Sequence, residues 1–290
     1  MSNKLPLPTS STDIASKIGA LSGMLEIQGN QIYYQVAGQG PPIVFLHDGL
    51  VHSAGWKPSF EHFAKDYTVI SYDRPGYGQS KPPAKEYSNV ETLQALLQTM
   101  GVSQALFFAG SAGGMLALDF TLHDPQMVSG LLLCGPYVSG FAGTDHGFYR
   151  AWVNPFPKYY ADTANNSPQD RQEVAQFWGT DPYLVAVENK GARSWMQAVF
   201  RQYPHNLEFN QVAALPDGEA LGRLAQINVP VAIVIGEQDI ADNHAISGAI
   251  QAGIPNATRI VVRRAAHLVY MELPEEFNQI AFQFISDNFQ

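Results

Sequence analysis

Short apolar runs recur along the chain, and each stops at a small or polar residue. Ile43-Val-Phe-Leu46 is wholly apolar, and Gln104-Ala-Leu-Phe-Phe-Ala109, Val128-Ser-Gly-Leu-Leu-Leu-Cys134 and Val229-Pro-Val-Ala-Ile-Val-Ile235 show no polar alternation. This is the pattern of strands covered on both faces in a parallel sheet. Tyr67–Tyr72 and Thr258–Val262 read as further strands, and Met24–Gln28 and Gln31–Ala37 flank Gly29-Asn30 as a hairpin. Helical patterns fall between them, at about 57–65, 88–100, 115–123, 243–252 and 274–288. Strands alternating with helices predict an α/β fold, a mostly parallel twisted central sheet with helices on both faces.

Between residues 138 and 228 the texture changes. Aromatic residues such as Trp152, Tyr159, Trp178 and Trp195 become dense, with polar helical stretches between them and no strand-like run. We read this part as a helical lobe inserted between two core strands. The expected organisation is a loosely held arm over 1–23, with one weakly amphipathic piece at 14–21, an α/β core over 24–137 and 229–290, and the lobe over 138–228.

Composition narrows the class. The 290 residues are 46% hydrophobic and 15% charged, with a net charge of −9 and no Lys/Arg cluster, which argues against nucleic acid as a partner. Cys134 is the single cysteine, so no intramolecular disulfide forms, and a reducing compartment fits. The first twenty residues lack a signal-peptide pattern, and no apolar run approaches the roughly 20 residues of a membrane span. The expectation is a cytoplasmic protein with no membrane association.

The candidate chemistry starts at Ala109-Gly-Ser-Ala-Gly-Gly114, between a strand and a helix. A strand that reverses sharply into a helix strains its apex residue and leaves room for almost no side chain beside it. Ser111 then stands at a helix N-terminus, where free N–H groups favour developing negative charge. This is a nucleophile elbow with Ala in place of the usual first Gly. An incidental Ser in a Gly-rich turn is the plainer alternative. A serine needs a base, and the base needs an orienting group. Among eight histidines, His267 follows the strand 258–262 by a short loop and can reach the same sheet edge. Asp239 ends Gly236-Glu-Gln-Asp239 after another strand, where it could accept from His267 or cap the next helix. The order Ser, Asp, His matches a known arrangement.

With Phe45-Leu-His47-Asp48-Gly49, Tyr72-Asp-Arg-Pro-Gly-Tyr-Gly-Gln-Ser80, Ala265-Ala-His267-Leu268 and Glu272-Leu-Pro-Glu-Glu-Phe277 added, the chain resembles an α/β hydrolase with a cap domain across about 24–290. The resemblance implies Ser111 as nucleophile, His267 as base and Asp239 as orienting acid. It implies an oxyanion hole of the Ala112 and Gly49 N–H groups, with the Asp48 side chain turned away to bond loop amides and His47 supporting the loop. Leu50, Ile240, Leu268, Trp152, Trp178 and Trp195 are the expected substrate contacts. A serine at the elbow argues against haloalkane dehalogenase, epoxide hydrolase and dienelactone hydrolase chemistry. No metal-ligand spacing occurs among the histidines, so no metal and no cofactor is expected. The expected activity is hydrolysis of a small, partly apolar carboxylic ester or lactone. A C–C bond hydrolase or enol-lactonase of a ring-degradation route is one alternative, and a non-catalytic ligand-binding protein of the same fold is another.

Overall fold

The apolar runs form the interior strands of one sheet. A computed structural model describes residues 4–7, 21–142, 155–162, 165–208, 213–214 and 219–290. Its main sheet comprises β1 (Ser22–Ile27), β2 (Asn30–Ala37), β3 (Pro42–Leu46), β4 (Thr68–Tyr72), β5 (Ala105–Gly110), β6 (Val128–Cys134), β7 (Val231–Gly236) and β8 (Thr258–Val262). They lie in the order β1-β2-β4-β3-β5-β6-β7-β8. β2 pairs antiparallel with β1 and β4, and the other neighbours are parallel. Every residue of β3 to β7 is buried, whereas the outer strands β1 and β8 are partly exposed.

Side chains of successive strand residues go to opposite faces. Val44, Leu46, Phe107 and Leu131 join one apolar cluster with α2 (Asn89–Met100), α3 (Ala112–His123) and α6 (Ala241–Gly253). Ile43, Phe45, Phe108 and Leu132 join the other, with α1 (Lys57–Phe63) and α7 (Pro274–Asn288). Each fully buried Leu or Phe contributes about 1.5–3 kcal/mol. Caps set some helix ends. Ser88 Oγ accepts from Glu91 N at 3.2 Å to start α2, and Gly101 at φ 72° ends it.

The structure differs from the sequence reading at several edges. The hairpin turn is Gln28-Gly29, with φ 52° and 84°, and Asn30 already pairs with Ile27. α3 starts at Ala112, immediately after the elbow, and not at Met115. Leu5 N donates to Asn288 O at 2.7 Å, which ties residues 4–7 to the C-terminal end of the chain. The amphipathic piece predicted at 14–21 lies, apart from Leu21, outside the described residues.

In the middle segment, α4 (Pro168–Thr180) and α5 (Lys190–Gln202) pack together with the 3-10 turn Pro204–Glu208. The two-residue strand Ala213–Ala214 pairs with Tyr87–Ser88. The 3-10 stretch Ala220–Gln226 lies against α3 and α6, and Ala220 and Leu224 share the cluster of Ile246 and Ile250.

Candidate active site

β5 ends at Gly110 and α3 begins at Ala112, so Ser111 alone makes the turn, at φ 50° and ψ −116°. A non-glycine residue in this region carries about 1–3 kcal/mol of strain and persists only where its surroundings over-determine it. Here Ser111 N donates to Cys134 O at 2.8 Å, and Tyr137 N donates to Ser111 O at 3.2 Å. A Cβ on Gly113 would lie 2.5 Å from Leu46 O, and one on Gly114 would lie 2.7 Å from Pro136 Cβ. Only glycine lets α3 come that close to the ends of β3 and β6. Ala112 is the first residue of α3, among the N–H groups that a helix leaves unpaired.

Three residues far apart in sequence meet at this point. Ser111 Oγ lies 2.8 Å from His267 Nε2, and His267 Nδ1 lies 2.9 Å from Asp239 Oδ2. All three are buried. Asp239 Oδ1 accepts from Ile240 N at 2.8 Å and from Asn243 Nδ2 at 2.7 Å. Those donors occupy Oδ1 and leave Oδ2 for the imidazole. Burial works against a charged His267, but the charge and hydrogen bond of Asp239, helped by Asp48 and Glu272, outweigh it. The His267 pKa therefore stands above its ordinary 6.5. The arrangement can pass a proton from the serine hydroxyl to a base and stabilise the cation that results.

The His267 loop is fastened to the segment between α4 and α5. His267 N donates to Tyr183 O at 3.1 Å and Leu268 N to Leu184 O at 3.3 Å. Buried Glu272 accepts from Ala266 N at 2.9 Å, Ala186 N at 2.8 Å and Asn189 Nδ2 at 2.7 Å. One carboxylate thus bridges the loop and the segment in front of α5.

The loop after β3 is organised by Asp48. Its Oδ1 accepts from Leu50 N at 2.6 Å and Val51 N at 2.9 Å, and its Oδ2 from Tyr270 Oη at 2.6 Å. Tyr270 stacks on Trp56 with ring centroids 3.8 Å apart. A Cβ on Gly49 would lie 3.5 Å from Ala112 Cβ, so the two expected oxyanion donors are neighbours. His47 Nε2 accepts from Arg74 N at 2.9 Å, which leaves the ring proton on Nδ1, 2.7 Å from Asp48 O. Burial and Arg74 hold the His47 pKa well below its usual value, so it stays neutral. Burial likewise pushes the Cys134 thiol pKa up, which leaves it unreactive.

The expected substrate contacts separate into groups. Leu50, Ile240 and Leu268 are buried in one apolar cluster. Trp178 is in that cluster too, fully buried on α4, with its indole N–H on Tyr160 Oη at 2.7 Å. Trp195 borders a cavity of about 400 Å³ with Tyr33, His52, Phe60 and Tyr203, which none of Ser111, Asp239 and His267 lines. Trp152 lies outside the described residues. Sequence reasoning missed Tyr137, Asn243 and Tyr270. Only the position of Tyr137, just past the end of β6 at the edge where the site forms, could have marked it. Among the described residues, no group of three or more His, Cys, Asp or Glu could hold a metal ion, and no helix is long and apolar enough to cross a membrane.

This sheet order, with Ser111 directly after β5 and Asp239 and His267 in the loops after β7 and β8, is that of a hydrolase of the α/β class. The chain belongs to the alpha/beta hydrolase fold family, whose model matches residues 41–274. It is 26% identical to a proline iminopeptidase of Thermoplasma volcanium, covering 92% of this chain and 97% of that one. It is 25% identical to the 2-hydroxy-6-oxo-6-phenylhexa-2,4-dienoate hydrolase of Comamonas testosteroni, over 88% of this chain and 91% of the relative. A solved N-acyl homoserine lactone degrading enzyme superposes with a TM-score of 0.71 at 27% identity, covering 90% of this chain and 100% of that one.

Proposed function

We propose that this hydrolase cleaves a carboxylic ester or lactone of modest size and partly apolar character through an acyl-enzyme on Ser111. The observation that carries the reading is the pair of hydrogen bonds, 2.8 Å and 2.9 Å, that joins a strained serine to a buried histidine and carboxylate. His267 Nε2 takes the hydroxyl proton as Oγ attacks the carbonyl. The oxyanion rests on the Ala112 and Gly49 N–H groups, and such a donor is worth about 2.7–4 kcal/mol of barrier in subtilisin. His267 then protonates the leaving alkoxide, and water activated by the same nitrogen releases the acid. Asp239 holds the imidazole in the tautomer this requires.

The lobe over 138–228 serves in this reading as a lid that shapes substrate choice, and Leu50, Ile240 and Leu268 supply its apolar floor. The similarity to a lactone-degrading enzyme supports the ester or lactone class. The dienoate hydrolase relative favours a second reading, hydrolysis of a 2-hydroxy-6-oxodienoate or an enol lactone in the same site. A panel assayed on pure protein separates them: nitrophenyl esters, lactones, a 2-hydroxy-6-oxodienoate and prolyl nitroanilide. The expected result is the highest kcat/KM on an ester or lactone. Turnover of the dienoate or the anilide with none of any ester or lactone would reject the first reading.

A further inference from the structure

Asn243 stands on the first turn of α6, four residues after Asp239. Helical side chains lean towards the helix N-terminus, which turns this amide back over the carboxylate. It is fully buried, and its Nδ2 lies 2.7 Å from Asp239 Oδ1 and 2.9 Å from His267 Nδ1. One nitrogen therefore touches both members of the Asp239–His267 pair. Asn243 Oδ1, also buried, accepts no hydrogen bond among the described residues.

Donor and acceptor capacity fixes the orientation of the amide. Ionised Asp239 only accepts, so the opposite orientation would set one acceptor against another, and Nδ2 keeps its place as the donor to Oδ1. The His267 Nδ1–H donates to Oδ2, which leaves no lone pair on Nδ1 for the amide. The Asn243 nitrogen thus meets Nδ1 as one donor beside another. That contact costs more once the ring carries a positive charge. The bond on Oδ1 acts in the same direction, because it draws carboxylate charge away from Oδ2 and weakens its hold on the imidazolium.

We propose that Asn243 is a positioning residue that fixes Asp239 by its Oδ1 and, through the amino group beside Nδ1, keeps His267 a weaker base than Asp239 alone would make it. The inference rests on the reading of Ser111 as nucleophile and His267 as base given above. A base of intermediate strength is neutral at working pH and still takes the serine proton. Negative charge faces the ring from Asp239, from Asp48 on the loop after β3 and from Glu272 just beyond the His267 loop. β6 and its end bring the Cys134 thiol and the Tyr137 ring, the latter 5.8 Å from the imidazole, and burial keeps both protonated. Asp242 is the neighbouring acid on α6. In the segment before α5, Asp181 accepts from Tyr183 N and Leu184 N, and Glu188 accepts from Gln238 Nε2. Against these acids, the Asn243 amide presents positive partial charge to the ring.

The test is the rate of Ser111 labelling by a fluorophosphonate, followed from about pH 5 to 9 in wild type and in Asn243→Leu, which removes the amide and keeps its volume. The reagent needs the serine and its base but not the natural substrate. The expected result is a midpoint moved up by about 0.5–1 pH unit, so that labelling well below the midpoint slows by about 3- to 10-fold. An unmoved midpoint overturns the role. So does a downward shift, which a merely structural amide would produce by letting Asp239 drift from the ring. Should the Leu variant lose its melting transition, Asn243→Met fills the site with a more adaptable side chain and is judged by the same shift. Wild-type protein that resists the reagent at every pH would overturn the nucleophile reading itself, and this role with it. A labelled wild type beside variants with its own midpoint would overturn the role alone.

Discussion

The Tyr270 hydroxyl donates to Asp48 Oδ2 at 2.6 Å, joining two residues 222 positions apart. With Leu50 N and Val51 N on Oδ1, three donors occupy a buried carboxylate in the loop that carries Gly49. This is how an acid can stand beside a site proposed to bind an oxyanion. Its oxygens are taken up in shaping the loop. Tyr270→Phe removes one donor from a buried carboxylate, which costs about 1–3 kcal/mol of stability. It should also lower kcat on esters with little change in KM, because the loop and not the substrate loses its support. Thermal melts and steady-state kinetics check both, and an unchanged kcat would remove Asp48 from the account of the site.

The pH dependence follows from His267. A base must be neutral, and the Asp239 carboxylate stabilises the imidazolium, so its pKa lies above 6.5 in the folded enzyme. Ester turnover should therefore rise with pH through a midpoint above 6.5, and Asp239→Asn should move that midpoint down. The same substitution favours the wrong tautomer and costs about 10⁴ in kcat in chymotrypsin. A pH–rate profile of the two proteins reads both effects. A midpoint that stays in place would mean that Asp239 does not set the histidine.

Stability has its own pH signature at Asp119. Burial on α3 raises this carboxyl from 3.8 to about 6, against the opposing effects of its hydrogen bond from Ser139 Oγ and of nearby Arg223. For an acid with a raised folded-state pKa, the stabilisation is fully present below the unfolded value of 3.8 and is lost as pH rises through about 6. Asp119→Asn keeps an acceptor for Ser139 and removes the buried charge. It should raise stability at pH 8 by about 2–3 kcal/mol, since each tenfold change in proton affinity on folding corresponds to about 1.4 kcal/mol. Near pH 4 it should change little. Denaturant melts at the two pH values check the sign.

Trp178 is fully buried on α4 and bonded to Tyr160. Truncation to Ala leaves a cavity and should cost about 3–5 kcal/mol. Rates on esters of different size should fall by the same factor, because the buried indole acts through packing. An altered order of ester preference at an unchanged melting temperature would return Trp178 to the substrate pocket.

The strands that hold the site were legible because β3, β5, β6 and β7 are buried on both faces, and continuous apolar runs have few other uses. Ser111, Asp239 and His267 were legible for a related reason, since each stands just past a recognisable strand. The hairpin shows where local chemistry misleads. Gly29-Asn30 looks like the turn pair, yet Gln28 takes the first positive φ and Asn30 is drawn into the ladder opposite Ile27. Asn243 and Tyr270 could not be read as site residues: Asn243 stands four residues from Asp239 but reads as an ordinary helix position, and the partner of Tyr270, Asp48, lies past another strand. Tyr137 offered only its place just past β6 as a signal. Asp48 is the intermediate case. Its place after His47 marked it, but the three donors that explain it appear only in the folded chain.

The central claim is that Ser111 is the nucleophile, and intact-mass spectrometry after exposure to a fluorophosphonate tests it most directly. Wild-type protein should gain one adduct, mapped to the peptide that carries Ser111, as ester turnover is lost in parallel. Folded Ser111→Ala protein should gain none. An adduct on the folded Ala variant, or wild-type protein that turns over esters while it resists the reagent, would contradict the account.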